Sequence, residues 1–204
     1  TESKGVSVPT VLIDSPAPVP GRLTVGSAAE AAAQELVTHL ASHGRRRIGL
    51  IIGAHGFGNP DPRERGWRTA LAIAGLDAGP VARVPFSREG GHDGVADLLA
   101  QDPTLDAIFA SNDLQGIGAL LALNERGVSI PGQIAVGAFD GTKESEFCWP
   151  PMTVSQQQLT LLAEAAIDLV ISDPTGVGRH VEIPTQLIRR ASCGCGEAKG
   201  DPTH

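Results

Sequence analysis

The chain has 204 residues, 41% of them hydrophobic and 19% charged, and carries a formal net charge of −7. A chain of this length buries enough apolar surface for one large or two small cores, while its negative charge disfavours contact with a phosphate backbone. No apolar run reaches the roughly 18 residues that cross a bilayer, and the first ten residues lack the layout of a signal peptide, so a cytoplasmic protein without membrane contact is expected.

Hydrophobic periodicity predicts strands and helices in alternation, the pattern of a parallel sheet with helices on both faces. In chain order the predicted elements are strand 8–13, helix 27–43, strand 47–52, a helix from residue 63, strand 81–86, helix 92–101, strand 106–110, helix 113–126, strand 134–139, helix 156–171 and strand 181–188. The tail 193–204 is expected to be disordered.

Helical spacing also predicts which apolar side chains face the core. On the five helices these are Ala29, Ala32, Ala33, Leu36, Val37 and Leu40; Trp67, Ala70, Leu71 and Ala74; Val95, Leu98 and Leu99; Leu114, Ile117 and Leu121; and Leu159, Leu162, Ala163, Ala166, Ile167 and Val170. Gly44 and Gly127 are expected to end the first and the fourth of these helices.

Polar or aromatic residues follow most of the predicted strands. In chain order they are Asp14, Arg63, Phe86, Asn112 with Asp113, and Asp140. Open parallel sheets bind ligands outside the carboxyl ends of their strands, so these residues are candidates for one site. Carboxylates, an amide, a guanidinium and an aromatic ring suit a neutral polyhydroxylated ligand such as a sugar or nucleoside better than an anion.

Each of these candidates also has a purely structural explanation. Asn112 or Asp113 could cap the following helix, and Asp14 and Asp140 could be turn residues. Arg63 could lie on the surface, and Phe86 could belong to the core. The strand-end pattern alone does not choose between these explanations and a ligand site.

Catalytic and metal sites are not predicted. The stretch GAHGFG lacks the order of a phosphate-binding loop, and the sequence contains neither a G-x-S-x-G elbow nor an HExxH motif. Cys193-Gly194-Cys195 lacks a second cysteine pair for structural zinc, and His39 and His43 are expected to be solvated. Reduced thiols, no metal and no cofactor are therefore expected.

The order of motifs from Val8 to Ser192 resembles the effector-binding domain of lactose-repressor-type (LacI/GalR) transcription regulators. The motifs are VPTVLID, HGRRRIGLI, RERGWRTAL, AIFASNDLQGIGALLALNERGVSIPGQIAVGAFD, PPMTVSQ and IPTQLIRRAS. The resemblance implies an α/β fold of two doubly wound, Rossmann-like subdomains, as in type I periplasmic binding proteins, with a small effector held between them. No counterpart of the DNA-binding headpiece or of the first N-terminal strands is present, so the N-terminal subdomain is expected to be incomplete.

Matched position by position, Asp14, Arg63, Phe86, Asn112 and Asp140 fall where the family contacts its effector. Beyond the last crossover, Gln157 or Leu159 is a further candidate. Gly141 stands where the family usually has a second aspartate, which leaves the identity of the effector open.

The resemblance also implies a division of the chain and a set of partners. Residues 1–44 are assigned to the N-terminal subdomain, 45–155 to the C-terminal subdomain, 156–174 to a helix that returns to the N-terminal subdomain, and 175–192 to a C-terminal strand. A homodimer is expected, and contact with DNA only through an upstream headpiece. Two alternatives remain: a solute receptor of a transporter on the same fold, and an enzyme on a doubly wound sheet.

Overall fold

The computed structural model describes residues 9–53, 61–172 and 178–196. They form nine strands: β1 Val11–Ile13, β2 Leu23–Ser27, β3 Ile48–Ile52, β4 Val81–Arg83, β5 Ala107–Ala110, β6 Ala135–Asp140, β7 Thr153–Gln156, β8 His180–Ile183 and β9 Gln186–Ile188. The five α-helices are α1 Ala29–Ser42, α2 Pro62–Ile73, α3 Arg88–Gln101, α4 Asp113–Glu125 and α5 Leu159–Ser172. Within these described ranges, none of the helices is long and apolar enough to cross a membrane.

The chain divides into two compact units. Unit 1 consists of the described residues within Thr1–Ala28 and Gln158–Thr185, and unit 2 of those within Ala29–Gln157 and Gln186–His204. Unit 1 has a parallel three-stranded sheet in the order β1-β2-β8, against which α5 packs Leu162, Ala166 and Leu169. The α/β class and the organisation in two units agree with the predicted fold.

Unit 2 has a six-stranded sheet in the order β4-β3-β5-β6-β7-β9. All neighbours in this sheet run parallel except β7 and β9. Successive residues of β3 alternate between two cores, as the pleat requires: Ile48, Leu50 and Ile52 face one core, which α1 and α2 cover, and Ile51 faces the other, which α3 and α4 cover. Helices on both faces bury this sheet, as predicted.

The boundaries and faces of several helices follow from capping and burial. The side chains of Asp61, Ser87 and Asn112 each accept a hydrogen bond from a backbone N–H in the first turn of α2, α3 and α4. The face predicted for α1 is confirmed, apart from the half-buried Ala29. On α2 the prediction is wrong only for Ala74, which ends the helix and is exposed.

The predicted faces of α4 and α5 are partly wrong. Leu114 and Leu121 are exposed, and α4 instead buries Ala119, Leu120 and Leu123. Of the residues predicted to be buried on α5, Leu159, Ala163 and Ile167 are exposed and Val170 is half-buried. Leu169, which was not predicted, is buried. Both helices carry apolar residues on more than one side, so periodicity alone could not select the buried one.

Four further points about elements and boundaries differ from the predictions. Strand β2 was not predicted, and the predicted strand 181–188 is two strands, because Pro184 interrupts it and β8 and β9 pair in different sheets. Helix α1, assigned above to the N-terminal subdomain, belongs to unit 2 because its buried face packs against the core under β3. Strand β8, which lies in the segment 175–192 assigned above to a C-terminal strand, belongs to unit 1 because it pairs with β2.

The predicted disordered tail is only partly described. Residues 191–193 form a 3₁₀ turn, and Cys193 is fully buried. Residues 197–204 lie outside the described residues, as does GAHGFG except for Gly53.

Candidate functional site

Arg63 lies in the first turn of α2 and is fixed by hydrogen bonds on both sides. Its Nε and Nη2 donate to the two carboxylate oxygens of Asp61 at 2.9 and 2.7 Å, and its Nη1 donates to the carbonyl oxygen of Ser111 at 2.8 Å. Pro62, the first residue of α2, restricts the backbone between Asp61 and Arg63. The side chain of Arg63 is therefore held over the carboxyl end of β5.

Two aromatic rings flank the Arg63 guanidinium. Its Cζ lies 5.4 Å from the centre of the Phe86 ring and 5.6 Å from that of Phe139, both within cation–π range. Phe86 is 47% exposed, so it is not a core residue, and its ring packs directly over Gly53, where a Cβ atom would overlap it. The exposed ring beside Arg63 forms an apolar wall at the ends of β3 and β4.

Asn112 is the N-cap of α4. Its Oδ1 accepts the backbone N–H of Gln115 at 2.8 Å, which leaves the Nδ2 donors for another partner. The predicted capping role therefore belongs to Asn112 and not to Asp113, and it uses only the Oδ1 atom of the Asn112 amide. A capping role and a ligand role are compatible because they use different atoms.

Asp140 ends β6 in a backbone conformation with φ 106°, which residues other than glycine rarely adopt. Its Oδ1 accepts a hydrogen bond of 2.8 Å from Nε2 of Gln157, and its carbonyl oxygen accepts the backbone N–H of the same residue at 2.9 Å. The half-buried carboxylate is therefore oriented from the end of β7. Strained backbone of this kind often marks a functional site.

We name the five side chains at the carboxyl ends of the unit 2 strands the rim cluster. Its members are Arg63, Phe86, Asn112, Asp140 and Gln157. Contacts through Ser111 and Phe139, which sequence reasoning did not select, connect Arg63 to the ends of β5 and β6. All five lie at one edge of the sheet, as the strand-end rule predicts.

The charges of the rim cluster are already partly balanced within the protein. Burial alone would raise the pKa of Asp61, but the hydrogen bonds and charge of Arg63 outweigh it and hold the pKa of that carboxyl below its ordinary value. Asp61 therefore stays ionised and neutralises Arg63. An anion bound at this edge would compete with the Asp61 carboxylate for the Arg63 guanidinium.

Asp113 connects the start of α4 to the loop after β6. It is buried in the first turn of α4, where its Oδ2 accepts hydrogen bonds from the backbone N–H and, at 2.7 Å, the hydroxyl of Thr142 in the loop after β6. Burial raises the pKa of this carboxyl, and the bonds to Thr142 offset the effect only in part.

Asp14 belongs to unit 1. It directly follows β1 and is exposed, with φ 60°. Asp14 and Asp140 are the non-glycine residues with positive φ within the described ranges, and each stands at the carboxyl end of a strand. That Asp14 shares a site with the rim cluster stays a prediction.

Comparisons with known proteins identify the family. A family model described as a periplasmic binding protein-like domain matches residues 37–193. The lactose operon repressor of Rhizobium radiobacter is 40% identical over 106 residues, which are 51% of this chain and 94% of that protein. The HTH-type transcriptional repressor PurR of Pasteurella multocida is 30% identical over 159 residues, 76% of this chain and 48% of the repressor.

Solved structures give the same answer. A complex of the transcriptional regulator CelR with cellobiose matches with a TM-score of 0.74 and 29% identity, covering 83% of this chain and 53% of that one. The chain belongs to the periplasmic binding protein-like domain family, in the form found in LacI-type transcriptional regulators. Apart from the lactose operon repressor, it spans about half the length of the curated relatives it matches. These relatives are regulators, which confirms the predicted family and disfavours the transport-receptor and enzyme alternatives.

Proposed function

We propose that this chain is the effector-sensing part of a bacterial DNA-binding transcriptional repressor, and that it binds a small neutral polyhydroxylated molecule such as a sugar. The observation that carries the proposal is the rim cluster. There an oriented carboxylate, an amide whose Nδ2 donates to no group within the described residues, and an exposed aromatic ring stand at one edge of the sheet. These groups match alternating hydroxyls and the apolar face of a sugar ring.

The balance of charge supports a sugar over a phosphorylated ligand. Arg63, the cation of the cluster, binds both carboxylate oxygens of Asp61 through two hydrogen bonds, the shorter of which is also a salt bridge of 2.7 Å. An anion would have to compete with that carboxylate and face Asp140 as well. The CelR relative solved with cellobiose supports the same class of ligand.

The remaining partners belong to the same proposal. DNA is contacted through a headpiece upstream of this chain, and the regulator acts in the cytoplasm as a homodimer. Apolar side chains on α4 and in the loop between β6 and β7 support dimerisation: Leu121 and Trp149 are 54% and 84% exposed, and Asn124 of α4 donates a hydrogen bond to the Trp149 carbonyl oxygen.

The test is calorimetric titration with neutral mono- and disaccharides, cellobiose and lactose included, beside their phosphorylated forms and free nucleosides. Two variants keep the local structure. Asn112→Ser retains a capping oxygen and removes the Nδ2 donors, and Asp140→Asn tolerates positive φ and removes the charge. Each should weaken the binding of the preferred sugar about tenfold, because a buried polar contact is lost.

The matched control is Asp77→Asn, since Asp77 is an exposed carboxylate in the loop before β4, at the other edge of the sheet. Its affinity should equal that of the parent chain. Tighter binding of phosphorylated sugars, or unchanged affinity in both rim variants, would show that the assignment is incorrect.

A further inference from the structure

A second group of side chains lies away from the rim cluster, at the end of unit 2 where α1 leads into β3. His39 and His43 stand one helical turn apart at the end of α1, and Cys193 and Cys195 flank Gly194 after the 3₁₀ turn. One ligand atom from each of the four lies within 4.8 Å of the others. We name these four residues the tail cluster.

The spacing between these atoms is that of ligands around one ion. Nε2 of His39 lies 3.3 Å from Sγ of Cys193 and 3.5 Å from Sγ of Cys195, and Nε2 of His43 lies 3.3 Å from Sγ of Cys195. In a tetrahedron with Zn–S and Zn–N bonds of about 2.3 and 2.05 Å, bound nitrogen and sulfur atoms are roughly 3.6 Å apart. The side chains therefore need only small movements to close around a metal.

Hydrogen bonds explain the arrangement of these four side chains less completely than a bound metal ion does. A neutral imidazole has a single N–H, yet Nε2 of His39 has two sulfurs within reach, and Sγ of Cys195 has two imidazole nitrogens. A metal ion would use all four lone pairs at once. Two thiolates and two imidazoles form a soft donor set, which favours zinc over calcium or magnesium.

The surroundings support metal ligation. The hydroxyl of Thr153 in β7 lies 3.1 Å from the fully buried Sγ of Cys193 and can donate to a thiolate, as outer-shell groups around metal ligands do. Gly194 has φ 99°, a conformation that brings the two flanking cysteines to the same side.

We propose that the tail cluster binds one zinc ion in a tetrahedral site of two cysteines and two histidines. All four positions are filled by the protein, which is typical of structural zinc. The ion would fasten the segment that ends with Cys195 to the end of α1. This site is independent of the proposed effector function.

The experiment measures zinc in the full chain, purified without a histidine tag and reconstituted with excess zinc before desalting. Mass spectrometry should find one zinc per chain, and cobalt substitution should give the intense visible bands of tetrahedral Co²⁺ with thiolate charge transfer in the near ultraviolet. A strong chelator should lower the melting temperature of the parent by several degrees, since a ligand of the native state stabilises it.

Two ligand variants and one control define the site. Cys195→Ser and His43→Gln should lose the zinc and the cobalt bands, and the chelator should no longer change their melting temperatures; both positions are partly or fully exposed, so the variants should fold. Cys148→Ser, which removes the cysteine outside the cluster, should keep one zinc. Less than a tenth of a zinc per folded parent chain, an octahedral cobalt spectrum, or full zinc in Cys195→Ser would each overturn the proposal.

Discussion

At the scale of single residues, two carboxylates of unit 2 respond to their surroundings in opposite ways. Asp61 receives two hydrogen bonds from the Arg63 side chain, so its pKa is lowered although burial opposes the shift. Asp113 is buried with neutral donors from Thr142, so its pKa is raised. The neighbouring Arg63 thus decides the direction of the pKa shift of Asp61, and burial decides the direction of the shift of Asp113.

This difference predicts opposite pH dependences for Asp113→Asn and Asp61→Asn. A raised folded-state pKa favours the protonated form, so the parent should gain stability relative to Asp113→Asn as the pH falls from neutral through that pKa, and the gain should be complete below the ordinary value of 3.8. The contribution of Asp61 is present above 3.8 and is lost as the pH falls below it. Urea unfolding over this range measures both differences.

Asn keeps the N-cap at position 61, so the pair of variants compares charge rather than capping. A stability difference between parent and Asp113→Asn that does not change with pH, or that changes in the same sense as for Asp61→Asn, would contradict the assigned causes.

The residues of the tail cluster show where sequence reasoning ends at this scale. From the sequence alone, the two histidines are expected to be solvated and the two cysteines to lack the further ligands that zinc needs, because 154 positions separate His39 from Cys193. Only the packing of the last segment against α1 makes four ligands out of two pairs. Four members of the rim cluster could be placed at one edge of the sheet because they follow predicted strands, and Gln157 was added through the family resemblance. No such rule joins the tail to a helix end.

At the scale of elements, glycines determine how closely the helices on each face approach. A Cβ at Gly66 of α2 would overlap the carbonyl oxygen of Glu30 on α1, and a Cβ at Gly118 of α4 would overlap that of Arg88 on α3. Both pairs of helices therefore touch backbone to backbone. Glycine lowers helix propensity, which is why α3, with Gly90 and Gly91 in its first turn, was predicted to begin late.

Gly118→Ala should destabilise the protein by about 1–3 kcal/mol despite the better helix propensity of alanine, since α3 and α4 must move apart. The matched control is Gly94→Ala, at another buried helical glycine. There the added Cβ meets only side-chain atoms of Ile51 at 3.2–3.4 Å, and the change in stability should be small. Thermal and urea unfolding compare the two variants; equal stabilities would show that the backbone contact is not limiting.

At the scale of the whole molecule, the α/β class and most element positions were predictable because apolar periodicity is strong in β3, α1 and β5. The assignment of individual segments to the two units was not predictable. Strands β8 and β9 are separated in sequence only by Pro184 and Thr185, and nothing in their composition indicates that one joins β2 and the other β7. Pairing between distant strands is a property of the sheets rather than of the segments themselves.

That pairing predicts that unit 2 folds without unit 1. Gln156 of β7 lies opposite Gln186 of β9 in an antiparallel pair, so the chain leaves and re-enters unit 2 at adjacent points. Residues 29–156 joined to 186–204 by Asn-Gly, the preferred two-residue hairpin turn, should preserve this register and both cores of unit 2. In a Trp149→Phe background, the fully buried Trp67 should report one cooperative unfolding transition with a blue-shifted native emission.

The matched control omits Gln156 as well. This deletion shifts the register of β9 by one residue and turns its side chains to the wrong faces of the sheet, so the control should be much less stable. A non-cooperative transition in the first shortened chain, or equal stability of the two, would mean that unit 2 depends on unit 1 for its fold.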